Sequence, residues 1–327
     1  MGYRSFLSAC RAMEKELKNS QEDLAAFGYA WGSETEDLNE LIHKAEQVMY
    51  AQRRKYAMRG DGRPRRPGRP DYLDGLLREF RQSNFVVYLQ PLYGVEQGAV
   101  IGAEALVRKI DEEGNGHAPF EFVHMMEEEN LISVVDYEML EQSCRLLKEV
   151  GEHWPGFQLS CNMSRNTLAE LDYLDRIDDI LTRTGVDHSQ LIFEVTESSR
   201  GLQLESIEDR LNALKARGIA VAVDDMGTEC SCLEMLYLPQ LDLVKIDRSL
   251  ISKTGHGPRE QAVIGSLIDL CHKLGLGCIA EGIETKEQGE LLKSLGCDRL
   301  QGYYFGRPMP PQEFFARFGP GAQEHQT

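Results

Sequence analysis

From about Tyr72 onward, short β-branched runs alternate with amphipathic segments, and nothing else in the sequence constrains the fold as strongly. The apolar runs are FVVYL (85–89), VIGAEAL (100–106), FQLSCN (157–162), LIFEV (191–195), IAVAVD (219–224), LDLVKI (241–246), GCIAE (277–281) and RLQGY (299–303). Helical patterns such as DYEMLEQSCRLLKEV, LESIEDRLNALKARG and QAVIGSLIDLCHKLG lie between them. Strand–helix repetition implies an α/β fold with a mainly parallel sheet. Eight strands in roughly 250 residues is the size of a (β/α)8 barrel. The competing architecture is a doubly wound sheet, but no G-x-G-x-x-G turn follows any of these strands.

The rest of the chain divides by composition. Residues 1–58 read as helix, short strand (FGYAW) and a second helix opened by Asp37, too little to bury an independent core. Residues 59–71, RGDGRPRRPGRPD, have no periodicity and form a Pro/Gly/Arg linker. The barrel then occupies 72–319, with a tail at 320–327. No apolar run approaches a membrane span, and the N-terminus lacks the apolar core of a secretory signal. The eight cysteines include no C-x-x-C pair and sit mostly beside apolar residues, the usage of a reduced, cytoplasmic protein. The formal charge of −17 argues against a nucleic-acid polymer as the ligand, though not against a small phosphate compound accompanied by cations.

The chemistry is carried by the ends of the strands. Glu104, Asn162, Glu194, Asp224 with Asp225, Lys245, Glu281 and Gln301 fall in succession near the C-terminal ends of seven runs. A single polar residue in such a place is usually a loop hydrogen-bonder or a helix cap. A set drawn from successive strands is different, because in a barrel those ends converge on one face. Carboxylates so close cannot all remain ionised unless cations sit among them. Oxygen donors without His or Cys select hard ions such as Mg²⁺ or Mn²⁺. The pattern alone therefore points to a divalent-metal enzyme acting on a phosphate ester or an acidic sugar.

The motif EALVR (104–108) resembles the name-giving motif of the EAL family of cyclic di-GMP phosphodiesterases. YLQP around Gln90, CNMS around Asn162, EVTES from Glu194, DDMGT from Asp224, LVKIDRS around Lys245, AEGIET from Ala280 and QGYYFGRP from Gln301 follow in family order. The resemblance implies a TIM-like barrel whose first strand is antiparallel to the others, and two divalent ions, Mg²⁺ or Mn²⁺. It assigns Glu104, Asn162, Glu194 and Asp224 to one ion, and Asp224 with Asp225 to the second. Lys245 matches a lysine that positions the attacking water, and Glu281 a general base or water ligand. Gln90 and Arg108 match substrate contacts, Gln301 and Glu284 supporting site residues, and Glu197 a residue that steadies the loop after Asp225. The implied reaction opens cyclic di-GMP to linear 5′-pGpG. FGYAW and the helix after it resemble the end of a GGDEF cyclase domain, but the G-G-[DE]-E-F loop is missing and no cyclase activity follows.

One segment departs from the family pattern D-D-F-G-T-G-Y-S-S. After Asp224 and Asp225 this chain reads Met226, Gly227, Thr228, Glu229, Cys230, Ser231, Cys232. In the family this loop is associated with metal binding and a homodimer contact. Two functions of different class therefore stand at this point: an active phosphodiesterase, and a barrel that binds cyclic di-GMP as a sensor without turnover. The retained ligands, Lys245 and Glu281 favour the first.

Overall fold

The computed structural model describes residues 85–320, except 112, 119–122, 124–125, 128–130, 152, 171, 197–203, 228–234 and 253–256. The N-terminal fragment, the linker, Glu197 and the altered positions Glu229, Cys230 and Cys232 lie outside the described residues. The strands are β1 (Phe85–Gly94), β2 (Ala99–Ile110), β3 (Gly116–His117), β4 (Gln158–Asn162), β5 (Leu191–Thr196), β6 (Ala220–Met226), β7 (Leu243–Ile246), β8 (Gly277–Ala280) and β9 (Arg299–Gln301). The helices are α1 (Ile132–Gly151), α2 (Arg165–Leu168), α3 (Tyr173–Thr184), α4 (Leu204–Lys215), α5 (Arg248–Ile251), α6 (Pro258–Lys273), α7 (Lys286–Ser294) and α8 (Pro311–Phe318).

The sheet order is β1-β9-β8-β7-β6-β5-β4-β2-β3, and β1 also pairs with β2. The sheet therefore closes into a TIM-like barrel, with β3 a two-residue antiparallel extension on β2. β1 runs antiparallel to both its neighbours, β2 and β9, whereas β2 and β4 through β9 pair in parallel. The reversal has a local cause. A short turn joins β1 to β2, with Gly98 donating its N–H to the Gly94 carbonyl at 3.0 Å. A tight hairpin can connect only antiparallel strands, while parallel strands need a crossover.

Side-chain alternation sorts each strand into two columns. Phe193, Val195, Val221, Val223, Val244, Ile246, Cys278 and Ala280 belong to the large apolar core that also contains Leu211, Ile264, Ile268 and Leu292 of the helices. Leu92, Ile192, Ala222, Leu243 and Ile279 form a separate apolar cluster. Two residues beyond its members on β5, β6, β7 and β8 stand Glu194, Asp224, Lys245 and Glu281. A period of two thus puts the charged residues in the same inward column, one layer above an apolar plug. Among the described residues no helix is long and apolar enough to cross a membrane. Cys144, Cys161, Cys271, Cys278 and Cys297 are free and buried.

Candidate active site

Lys245 is the centre of the site. Its side chain is 1% exposed, and Nζ lies 2.7 Å from Glu194 Oε2, 2.7 Å from Glu281 Oε1, and 3.4 Å from both Glu104 Oε2 and Asp224 Oδ1. The carboxamides complete the ring. Asn162 Nδ2 donates to Glu104 Oε1 at 3.2 Å, and Gln301 Nε2 donates to Glu104 Oε2 at 2.6 Å. Gln301 Nε2 also approaches Gln90 Oε1 at 3.4 Å, and Gln90 in turn donates to the Gly306 carbonyl at 3.4 Å. Gln90 and Glu104 are directly paired across β1 and β2, so the hairpin itself delivers both to one place.

One ammonium cannot balance four carboxylates, and the imbalance shifts their pKa values in different directions. Burial works to raise Glu104, but the charge of Lys245 and the hydrogen bonds from Gln301 and Asn162 outweigh it, holding this carboxyl below its ordinary range. Burial, and then the charge of Glu104, pushes Glu194 well above the usual value. Burial also lifts Glu281 to about 8, against the attraction of Lys245. Burial alone would lower Lys245, yet the charges of Asp224, Glu104, Glu194 and Glu281 hold it firmly protonated. The cluster is therefore short of positive charge in its present form.

Strand β6 makes the cluster wider than regular geometry permits. Successive residues of a strand face opposite sides, yet the carboxylates of Asp224, Asp225 and Glu281 each offer an oxygen within 4.8 Å of the others. The register of β6 on β7 shifts between Val223 and Met226, and Asp225 is in the left-handed region at φ 60°. Asp225 is the one non-glycine residue with positive φ among the described residues. Asp tolerates this conformation better than most residues, at a cost of roughly 1 kcal/mol. Its backbone N–H donates to Asp224 Oδ1 at 2.8 Å, which helps to hold the bulge. Gly227 follows at φ 108°, where a Cβ would lie 2.3 Å from Leu250 Cδ1. Burial and the charges of Asp224 and Asp247 raise Asp225 to about 6.

Most of the residues picked out on the sequence are brought together here. Glu104, Asn162, Glu194, Asp224, Lys245, Glu281, Gln301 and Gln90 form one connected network, with Asp225 at its edge. Arg108 sits farther along β2, its guanidinium 5.9 Å from the centre of the Tyr88 ring and donating to the Val107 carbonyl at 2.7 Å. Burial lowers its pKa, partly offset by the charges of Glu104 and Tyr303. Glu284 stands apart. It is exposed, and its backbone N–H donates to Gln288 Oε1, beside the capping box that Thr285 and Gln288 build at the start of α7. Asp247 was not singled out on the sequence, although its charge acts on Asp225. Its visible signal is that of a helix cap, since Asp247 Oδ1 accepts from Ser249 N at the start of α5.

A closed barrel with one antiparallel strand, carrying this carboxylate–lysine network on its strand ends, defines a class. Residues 74–308 match the EAL domain family, and the chain belongs to that family. The signaling protein YkoW of Bacillus subtilis is 31% identical over 84% of this chain and 35% of its own length. The cyclic di-GMP phosphodiesterase RocR of Pseudomonas aeruginosa is 30% identical over 73% of this chain and 61% of its own length. The bifunctional diguanylate cyclase/cyclic di-GMP phosphodiesterase MucR of the same organism is 33% identical over 74% of this chain and 36% of its own length. The chain thus spans only part of these curated relatives, between 35% and 61% of their lengths. The solved structure of the PaMucR phosphodiesterase in complex with c-di-GMP superimposes with a TM-score of 0.67 at 32% identity, covering 73% of this chain and 99% of that one.

Proposed function

We propose that this EAL domain hydrolyses cyclic di-GMP to linear 5′-pGpG in bacterial second-messenger signalling, using two divalent ions, Mg²⁺ or Mn²⁺. The observation that carries the reading is the ring of four carboxylates around Lys245, which is under-neutralised and opens on the Asp224–Asp225–Glu281 oxygens. A ligand- or water-binding pocket without catalysis has no need to assemble so much buried negative charge, which is costly unless cations share it. The donor set fits hard ions, since every candidate donor is oxygen. Glu104, Asn162, Glu194 and Asp224 would hold one ion and Asp224 with Asp225 the second, lowering the pKa of water and neutralising the phosphodiester.

The protein groups divide the remaining work. Lys245 stays protonated and orients Glu194 and Glu281 through two contacts of 2.7 Å. Glu281, which burial lifts to about 8, would act as the proton acceptor for the attacking water if bound ions supplied positive charge beside it. Gln90, whose Oε1 accepts from Gln301 Nε2 at 3.4 Å, suits the edge of a guanine, and Arg108 suits a phosphate oxygen. The reading also includes a homodimer through the EAL domain.

Product analysis with cyclic di-GMP tests the reading. Linear 5′-pGpG should appear with Mg²⁺ or Mn²⁺, vanish in EDTA and return on adding either ion, while Ca²⁺, with its larger and looser shell, should not restore it. Turnover in excess chelator would remove the ions from the reaction. Tight binding without product at any divalent ion would make the barrel a sensor.

A further inference from the structure

A second cluster of metal-ligating groups lies near the start of β8, away from the oxygen-lined site. His272 belongs to the last turn of α6, Cys278 is the second residue of β8, and Asp298 immediately precedes β9. Each offers a ligand atom, and these atoms lie within 4.8 Å of one another. His272 Nε2 is 3.0 Å from Asp298 Oδ2, and the Cys278 backbone N–H donates to the same oxygen at 2.7 Å. Alternation on β8 turns Ile279 into the inner apolar plug and Cys278 outward toward the helices, where its Sγ faces the Ile268 carbonyl. The thiol is fully buried, whereas the side chains of His272 and Asp298 are 39% and 43% exposed. A solvent-reachable imidazole and carboxylate thus stand over a thiol.

We propose that His272, Cys278 and Asp298 form a site for a single thiolate-seeking transition-metal ion, of which Zn²⁺ is the representative, with water in the remaining position. Imidazole, thiolate and one carboxylate form a mixed nitrogen–sulfur–oxygen set that zinc accepts and that Mg²⁺ disfavours. The three residues come from the end of α6 and from the starts of β8 and β9, so an ion there would tie these three points together. Binding is a coordination step without redox change. The Cys278 thiol releases its proton to solvent, the thiolate and a neutral imidazole nitrogen each donate an electron pair, and affinity falls as pH is lowered.

Co²⁺ distinguishes this site from the oxygen-lined one, because only a thiolate ligand gives a sulfur-to-cobalt charge-transfer band in the near ultraviolet. The full chain, reduced and held in excess Mg²⁺, should develop this band with one Co²⁺ per molecule and lose it when Zn²⁺ is added. Cys278→Ser should abolish the band. His272→Ala, at a partly exposed position, should require at least about tenfold more Co²⁺ to reach the same intensity. Absence of the band in the unmodified protein, its persistence in folded Cys278→Ser, or unchanged Co²⁺ titration in His272→Ala would each overturn the proposal.

Discussion

Two buried carboxylate networks in this protein solve the same electrostatic problem in opposite ways. In the barrel mouth, Glu104, Glu194, Asp224 and Glu281 are held around the charge of Lys245. Beneath the loop that follows Asn162, Asp136 of α1 accepts from the Ser164 backbone N–H at 2.9 Å and from the Thr167 hydroxyl, with no cation among these partners. Ser164 is also the cap of α2, so Asp136 anchors the turn that leaves β4. Neutral donors do not offset its desolvation, and burial raises Asp136 to about 6. The comparison separates two uses of a buried acid. One compensated by neutral hydrogen bonds holds a loop in place. One compensated by too little positive charge is the feature on which the proposed divalent ions rest.

The largest test of this contrast is Lys245→Met. Removing the only ammonium among these contacts leaves buried carboxylates unpaired, and urea denaturation in EDTA should show a loss on the order of 3–5 kcal/mol. Mg²⁺ should recover part of it by replacing the missing charge. A variant as stable as the unmodified protein in EDTA would mean that the carboxylates are already neutral and the ring needs no cation.

Asp136→Asn probes the other network. Its folded pKa of about 6 lies above the unfolded value near 3.8, so below about pH 4 both states carry the proton and no stability is lost. Between about pH 4 and pH 6 the unfolded carboxyl ionises while the buried one keeps its proton, so about 3 kcal/mol of relative stability is lost by the time pH has risen through the folded pKa. The asparagine keeps a hydrogen-bond acceptor without ionising. The stability difference between the two proteins should therefore shift in favour of the variant between pH 4 and 7, as urea midpoints at several pH values would show. A constant difference would place the titration elsewhere.

Glu281→Gln preserves shape while removing a proton acceptor. We expect kcat to fall on the order of 10²-fold with cyclic di-GMP binding retained, measured by turnover and by equilibrium titration. Near-normal turnover would take Glu281 out of the proton transfer and leave it only a partner of Lys245. The smallest effect is that of Asp225→Gly, which relieves the left-handed strain and deletes a carboxylate from the bulge. Thermal unfolding in EDTA should move up by the equivalent of roughly 1 kcal/mol, while the Mg²⁺ concentration needed for activity rises. A variant that is destabilised in EDTA would show that the Asp225 side chain, and not the ion, holds the β6 bulge.

Much of the molecule was legible in one dimension because its two periodicities are local. Short β-branched apolar runs between amphipathic helical segments located the strands, and the succession Glu104, Asn162, Glu194, Asp224, Lys245, Glu281, Gln301 was readable as the ends of those strands. Barrel closure then required only that each strand pair with the next. The antiparallel β1 was expected from family resemblance, and its physical cause, the tight turn at Gly94–Gly98, was present in the sequence as well. What tertiary structure alone decided is how the charges share one cavity. No spacing shows that Lys245 contacts four carboxylates, that Glu281 rises while Glu104 falls, or that Glu284 turns outward to solvent. Nor does it show that Asp225 swings back toward Asp224, since that needs a positive φ and a register shift against β7. The reason is that a strand's pattern depends on neighbours in the chain, whereas desolvation and Coulomb energies depend on distances between residues tens to hundreds of positions apart.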